Sequence, residues 1–135
     1  MSETIKVSHG VIVDERGCVL LLKRSENRLD APGQWCWPGG KIEVGEAPEE
    51  ALRRELREEL DAEVEIITQG KPYHLKTPRA RWEVFPFLCR LRGSFALHGD
   101  EHQEVCWVRL DELSQYDVAL GVMPTLKRLE LLASN

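Results

Sequence analysis

The order of apolar and polar residues divides the chain into short strands and two helices. Residues 7–13 and 18–22 are apolar runs separated by a polar turn, and this pattern predicts a β-hairpin. Residues 84–91 are apolar almost throughout, which is typical of a strand at the centre of a sheet. Shorter runs at 64–67 and 105–108 predict two further strands.

Helical periodicity occurs at two places. In residues 48–60 the leucines recur every fourth position, the segment is rich in strong helix formers, and a proline stands first. Residues 123–132 predict a closing amphipathic helix with Leu126, Leu129 and Leu132 on one face. Strands and helices in this order predict a mixed α/β domain.

Three acids gather on the first helix. Glu55, Glu58 and Glu59 are three and four residues apart, so they share one helix face. Like charges in such a cluster repel one another, and a cation among them would relieve the repulsion. Mg2+ is the ion expected, with Mn2+ as a substitute, because both take carboxylate oxygens as ligands. The alternative is a solvated charged face whose acids are offset by neighbouring arginines.

Features beside the helix favour a functional site over a solvated face. The turn formed by Pro38, Gly39 and Gly40 allows the backbone to approach a ligand closely. Glu46 lies before the helix and Arg54 within it, so a bidentate ion pair between them would brace the preceding loop against the helix.

The spacing of these residues is also specific. From Gly40 onward the chain follows the pattern G-x5-E-x7-R-E-U-x-E-E, where U is aliphatic and is Leu56 here. Six fixed positions coincide by chance about once in ten million starting points. The chain therefore resembles the Nudix, or MutT-like, hydrolases. Their pattern continues with x-G-U, whereas this chain reads Leu60, Asp61 and Ala62, so the glycine at the helix exit is replaced.

Length, composition and charge narrow the class of protein. The 135 residues are expected to form a single domain, with no apolar run near the roughly 20 residues that span a bilayer. The N-terminus lacks the apolar stretch of a secretory signal, and the four cysteines form no C-x-x-C pair, so free thiols and a cytoplasmic location are expected. A net charge of −5 argues against a nucleic-acid polymer as partner.

The resemblance implies an α/β/α fold, in which a mixed β-sheet is sandwiched between α-helices, and a site for divalent metal. Glu46, held by Arg54, would support the ligands without contacting the metal. The implied ligands are the backbone carbonyl of Gly39 and the carboxylates of Glu55, Glu58 and Glu59.

A general base in this family often comes from a later loop, and residues 99–104 match that loop. Glu101 is the first candidate for the base and Glu104 the second. His102 lies between them and is interpreted as a bystander.

Substrate contacts are less clear from the sequence. Arg24 stands where relatives often place a cation against the phosphates, although it could equally face solvent. Trp35 and Trp37 precede the glycine turn and would either stack on a base or lie in the core. Pro78 is a weak marker of ADP-ribose-cleaving relatives. The asparagine that reads oxidised guanine in some relatives is absent from residues 122–124, so that specificity is not expected.

The reaction implied is hydrolysis of a nucleoside diphosphate linked to another moiety, foremost a nucleoside or deoxynucleoside triphosphate cut to monophosphate and pyrophosphate. An ADP-ribose or nucleotide-sugar pyrophosphatase is one alternative. A nucleotide-sensing module without catalysis is another, which the complete set of acids disfavours. An isoprenoid-type isomerase would need a reactive cysteine in a deep apolar pocket, and Cys36 is poorly placed for that. A homodimer is expected from the resemblance alone.

Overall fold

Two β-sheets lie side by side between helices in the computed structural model, which describes residues 4–131. The first sheet has the order β4 (Gly39–Lys41), β1 (Thr4–Ile12), β7 (Arg81–Arg92) and β5 (Glu63–Gln69), and β6 (Tyr73–Lys76) also pairs with β7. The second sheet has the order β3 (Trp35–Cys36), β2 (Val19–Arg24) and β8 (His102–Val108). The helices are α1 (Pro48–Leu60), a 3-10 helix (Leu110–Gln115) and α2 (Val122–Arg128). Within residues 4–131, no helix is long and apolar enough to cross a membrane.

Alternate residues of the strands face two separate helical layers. Ile12 of β1 and Leu22 of β2 pack with the leucines of α1. Their neighbours Val11 and Leu21 pack instead with the 3-10 helix and α2, because successive side chains of a strand point to opposite faces. Both sheets are covered on their two faces, which confirms the expected α/β fold with sheet between helices.

Strand β7 occupies the centre of the first sheet. On one side β1 runs parallel to it, from Thr4 opposite Arg81 to Ile12 opposite Cys89. On the other side β5 and β6 pair with it in antiparallel fashion. The central position predicted for residues 84–91 is therefore confirmed, and burial on both faces explains their apolar run.

The hairpin predicted from residues 7–13 and 18–22 is wrong. A tight turn does connect the two segments, and the Asp14 carboxylate accepts hydrogen bonds there from the backbone N–H groups of Arg16 and Cys18. Beyond a single bridge between Val13 and Val19 the strands separate. Strand β1 pairs with β7 and β2 pairs with β8, so each strand finds its partner far away in the sequence.

The shortest strands could not be predicted from the sequence pattern. Strands β3, β4 and β6 have two to four residues, too few to show periodicity. The closing helix is also shorter than expected, because α2 ends at Arg128. Leu126 and Leu129 are buried as predicted, although Leu129 follows the last helical residue, and Leu132 lies outside the described residues.

The exit of α1 keeps its turn without the glycine of the family pattern. Asp61 adopts the left-handed conformation, with φ 49° and ψ 39°. Its N–H donates to the carbonyl of Arg57, and the N–H of Ala62 donates to the carbonyl of Leu56, which satisfies the last carbonyls of the helix. Aspartate tolerates this conformation better than most residues, so the chain can still turn directly into β5.

Replacing Asp61 by glycine is expected to raise the free energy of unfolding by roughly 0.5–1 kcal/mol. Glycine removes both the steric cost of a Cβ at positive φ and an acid at the negative end of the helix dipole. Asp61→Asn removes only the charge and should gain less. Urea denaturation of the three proteins measures the difference, and a loss of stability in Asp61→Gly would contradict this account of the helix exit.

Candidate active site

A cavity of about 900 Å3 opens beside α1, lined by residues from both sheets. The acids of α1 contribute part of its lining, and apolar side chains of β6 and β7 contribute another part: Leu75, Trp82 and Val84. A cavity of this size can enclose a molecule as large as a nucleotide.

The three acids of α1 differ in their exposure to water. Glu59 is 7% exposed, and its Oε1 accepts a hydrogen bond from the Gly39 N–H at 3.0 Å. Glu55 is half-buried and Glu58 is exposed. Burial raises the pKa of Glu55, and it raises the pKa of Glu59 well above the usual range of a carboxyl group. A cation among these groups would favour their charged forms and offset the cost of burial.

Two glycines allow β4 to lie close to the acids. A Cβ on Gly39 would collide with the Ser8 carbonyl oxygen on neighbouring β1, and its φ of 138° also suits glycine. A Cβ on Gly40 would lie 2.5 Å from the carboxyl carbon of Glu55. Gly39 lines the cavity, and the role expected for its carbonyl stays a prediction.

Arg54 joins the loop before α1 to the helix, as predicted. Its Nε donates to Oε2 of Glu46 at 2.7 Å and its Nη2 donates to Oε1 at 3.0 Å, which confirms the bidentate pair. This pairing lowers the pKa of Glu46 to about 2. Arg54 also donates to the Lys41 carbonyl at 2.9 Å and to Oε1 of Glu55 at 3.0 Å. One guanidinium group therefore fixes β4, the loop and an acid of α1 relative to one another.

Of the two acids proposed as a general base, Glu101 lines the cavity and Glu104 does not. Oε2 of Glu101 accepts a hydrogen bond from Nη1 of Arg28 at 3.0 Å, and its side chain is 61% exposed. Glu104 lies on β8, 3.9 Å from Nζ of Lys23 on β2. Its position in the second sheet, away from the cavity, gives no support to a role as base.

His102, expected from the sequence to be a bystander in a loop, is buried in the cavity lining beside the acids. It begins β8, is 6% exposed, and its Nδ1 lies 4.0 Å from Oε2 of Glu59. One potential ligand atom each from Glu59, Glu101 and His102 all lie within 4.8 Å of one another. Burial lowers the pKa of His102 to about 4. Its place next to the acids depends on the pairing of β2 with β8, which local sequence does not encode.

Of the tryptophans before the glycine turn, Trp37 is a core residue and Trp35 is partly buried against the core. Trp37 is 3% exposed, and its Nε1 donates to the Val122 carbonyl at 3.1 Å. Trp35 is absent from the cavity lining and packs edge-on against Tyr116, with ring centroids 5.6 Å apart. Trp37 does line the cavity, so stacking of an indole on a base stays a prediction, although packing in the layer of α2 already holds both rings.

A third tryptophan, Trp82, which no local sequence pattern indicates, is better placed for contact with a ligand. Trp82 on β7 is half-buried, lines the cavity and donates from Nε1 to Oγ1 of Thr77 at 3.0 Å. Leu29 and Leu120 also line the cavity and are 80% and 61% exposed, so they form an apolar rim. No local pattern reveals this set, since its members come from distant segments.

Arginines from three segments also line the cavity. Nε of Arg24 donates to the Asp30 carbonyl at 2.7 Å, and Nη1 of Arg79 pairs with the Asp30 carboxylate at 3.1 Å. Arg28 pairs with Glu101 in the same region. Guanidinium groups held in this way suit contact with phosphate oxygens. Arg24 lines the cavity, and its expected contact with phosphate stays a prediction.

A buried hydrogen-bond network fixes the start of α2 beside the cavity. Nδ1 of His9 lies 3.2 Å from Oγ1 of Thr125, and the Tyr73 hydroxyl lies 2.6 Å from the same oxygen. The Tyr73 hydroxyl also contacts the Gly121 carbonyl at 3.0 Å. Burial lowers the pKa of His9 to about 4, so its imidazole is neutral at pH 7. The network ties β1 and β6 to the segment that closes the cavity.

The residues of the site fit a divalent cation. The donor set consists mainly of carboxylate oxygens, which hard cations prefer. In addition, Nδ1 of His102 is a buried polar atom without a hydrogen-bond partner in the part of the chain that the structure describes. Such an orphaned atom beside acids is consistent with a ligand site.

Comparisons with known proteins support the interpretation of this cavity as an active site. The model of the NUDIX domain family matches residues 5–129. Nucleoside triphosphatase NudI of Salmonella arizonae is 35% identical over 133 residues, which cover 90% of this chain and 94% of that protein. The NudI protein of Salmonella typhimurium is 35% identical over 127 residues, which cover 85% of this chain and 89% of that protein.

Solved structures give the same assignment. The MutT protein from Methanosarcina mazei Go1 has a TM-score of 0.85 and 25% identity, with 96% of this chain and 95% of that chain covered. The MutT NUDIX hydrolase from Burkholderia pseudomallei has a TM-score of 0.83 and 27% identity, with 94% of this chain and 98% of that chain covered. With the acid pattern on α1 facing the cavity and the family match spanning nearly its whole length, this chain belongs to the Nudix family of MutT-like hydrolases.

Proposed function

We propose that the chain hydrolyses nucleoside or deoxynucleoside triphosphates to the monophosphate and pyrophosphate, with Mg2+ as the cation. The observation that carries the proposal is the complete set of acids, Glu55, Glu58 and Glu59, on one face of α1 along a cavity of nucleotide size. The name of the NudI relatives, nucleoside triphosphatase, supports this substrate class over ADP-ribose or a nucleotide sugar.

The cation would be held by the carboxylates of Glu55, Glu58 and Glu59 together with the Gly39 carbonyl. When bound, it supplies Lewis-acid polarisation of the phosphoryl group and positive charge against the polyphosphate. Arg54 keeps these acids in place, because it binds Glu55 directly and fixes the loop through Glu46. This bracing reduces the rearrangement needed when substrate binds.

The remaining polar groups of the cavity contact either the phosphates or the attacking water. Arg24, Arg28 and Arg79 offer N–H donors to phosphate oxygens and hold the triphosphate along the cavity. Glu101 is exposed to water and close to Glu59, so it is the residue proposed to accept the proton of the attacking water. Attack of this water at one phosphorus of the anhydride between the α- and β-phosphates breaks its bond to the bridging oxygen and yields the monophosphate and pyrophosphate.

The nucleoside would occupy the apolar part of the cavity. Leu75, Trp82 and Val84 line this part, and Leu120 lies at its rim. An aromatic face beside aliphatic side chains suits a flat, partly apolar base.

Two other functions receive less support. A sensor without catalysis has no use for the complete acid set. An isoprenoid-type isomerase would require a reactive thiol, whereas burial raises the pKa of Cys36 to about 11, so the thiolate is scarce at neutral pH.

Glu58→Gln is expected to lower kcat for triphosphate hydrolysis roughly a thousandfold, because a bound cation contributes several kcal/mol of transition-state stabilisation. Stability should change by less than about 0.5 kcal/mol, since Glu58 is exposed and its pairing with Arg54 is a surface ion pair that repulsion from the neighbouring acids offsets. Pyrophosphate release with Mg2+ and urea denaturation measure the two effects. Glu65→Gln, an exposed acid on β5, is the matched control. Near-normal turnover of Glu58→Gln would mean that the metal site is assigned wrongly.

Glu101→Gln is expected to lower kcat by about 10²–10⁴, the usual contribution of a general base, with a smaller change in KM. Glu104→Gln should leave both constants unchanged, because Glu104 lies outside the cavity lining. The two variants make the same chemical change three residues apart. Steady-state kinetics with a deoxynucleoside triphosphate compares them, and equal activity of the two variants would exclude Glu101 as the base.

A further inference from the structure

The buried imidazole of His102 has a feature that packing does not explain. Its side chain is 3% exposed, yet its Nδ1 has no hydrogen-bond partner among residues 4–131. A buried polar atom without a partner lowers stability, so native proteins seldom keep one without a reason. The unpaired nitrogen faces the carboxylate of Glu59, with 4.0 Å between Nδ1 and Oε2.

The contacts of the other ring nitrogen indicate which one carries the proton. Nε2 of His102 lies 3.9 Å from Sγ of Cys36, and the Cys36 thiol donates its own hydrogen to the Leu22 carbonyl at 3.5 Å. The sulfur is then available as an acceptor, which places the imidazole hydrogen on Nε2. Nδ1 is left with a lone pair that points toward the acids.

The atoms around this lone pair are also electron-pair donors. Oε1 of Glu59 already accepts the Gly39 N–H, and Oε2 of the same carboxylate faces Nδ1. A carboxylate oxygen of Glu101 completes a set of three ligand atoms, all within 4.8 Å of one another. Three such groups repel one another unless something positive lies between them, and the set is small enough to surround a single ion.

We propose that His102 supplies a nitrogen ligand, together with the carboxylates of Glu59 and Glu101, to the divalent cation of the acid cluster, so that Mn2+ binds there more tightly than the Mg2+ that supports hydrolysis. The Glu101 carboxylate would then bind the cation in addition to taking the proton of the attacking water. The inference rests on the proposed function, because Glu59 also belongs to the acid face of α1. Imidazole binds transition-metal ions more strongly than it binds Mg2+, which demands oxygen ligands. The contact between Nε2 and Cys36 holds the ring in the orientation that a ligand needs.

The nearby arginines do not occupy the space between His102 and Glu59, because each has another partner. Arg28 engages Oε2 of Glu101, and Arg24 is held by the Asp30 carbonyl. Six acids line the cavity against five lysines and arginines, and of the latter Arg54 is already paired with Glu46 and Glu55 and Arg79 with Asp30.

Electron spin-echo spectroscopy of bound Mn2+ tests the inference directly, because it detects a coordinated imidazole nitrogen. The wild-type protein and His74→Gln should both show the nitrogen modulation, whereas His102→Gln should lack it. His74 is the matched control, since it lies on β6 and its side chain is 72% exposed. Titration should show at least a tenfold loss of Mn2+ affinity in His102→Gln and less than about a threefold change for Mg2+.

Isotopic labelling of the histidine nitrogens provides a second test that needs no variant. The modulation of wild-type protein with Mn2+ should change on labelling, so the inference remains testable even if His102→Gln does not fold. Bound Mn2+ without any nitrogen modulation would overturn the histidine ligand, while triphosphate hydrolysis by the same preparation would leave the proposed function intact. Absence of both Mn2+ binding and hydrolysis would overturn the two together.

Discussion

The close packing of β4 between β1 and α1 is the constraint on which the site depends. Gly39 lies against the Ser8 carbonyl at a distance that admits no Cβ, and a Cβ on Gly40 would displace the Glu55 carboxyl group from its place. This approach lets the Gly39 N–H reach Glu59 at 3.0 Å. It also lets Arg54 bind the Lys41 carbonyl, so that strand, loop and helix form one unit.

The same packing lowers the free energy of unfolding of the protein without a bound cation, because it buries charged acids close together. Burial of Glu59 and partial burial of Glu55 disfavour their charged forms, and neighbouring acids add repulsion. Such an arrangement lowers stability unless a cation binds among the acids. The apolar core that covers both sheets supplies the stability against which this local cost is set.

The sequence predicted those features that depend only on residues near one another along the chain. Helix α1 and the pair between Arg54 and Glu46 follow from helical spacing and from a loop of fixed length, and both are confirmed. The positions that depend on strand pairing were not accessible in this way. His102 reaches Glu59 because β2 pairs with β8, and Trp82 lines the cavity because it lies on the central strand β7. The supposed hairpin failed for the same reason, since the partners of β1 and β2 are distant in the sequence.

Product analysis by phosphorus nuclear magnetic resonance is the most direct test of the central claim, that the acid face of α1 cleaves a nucleoside triphosphate within this cavity. Purified protein with Mg2+ would be incubated in turn with nucleoside triphosphates, deoxynucleoside triphosphates, ADP-ribose, nucleotide sugars and dinucleoside polyphosphates. We expect triphosphates to be cleaved fastest and to yield monophosphate and pyrophosphate. Release of inorganic phosphate with a nucleoside diphosphate, or turnover confined to ADP-ribose or nucleotide sugars, would contradict it.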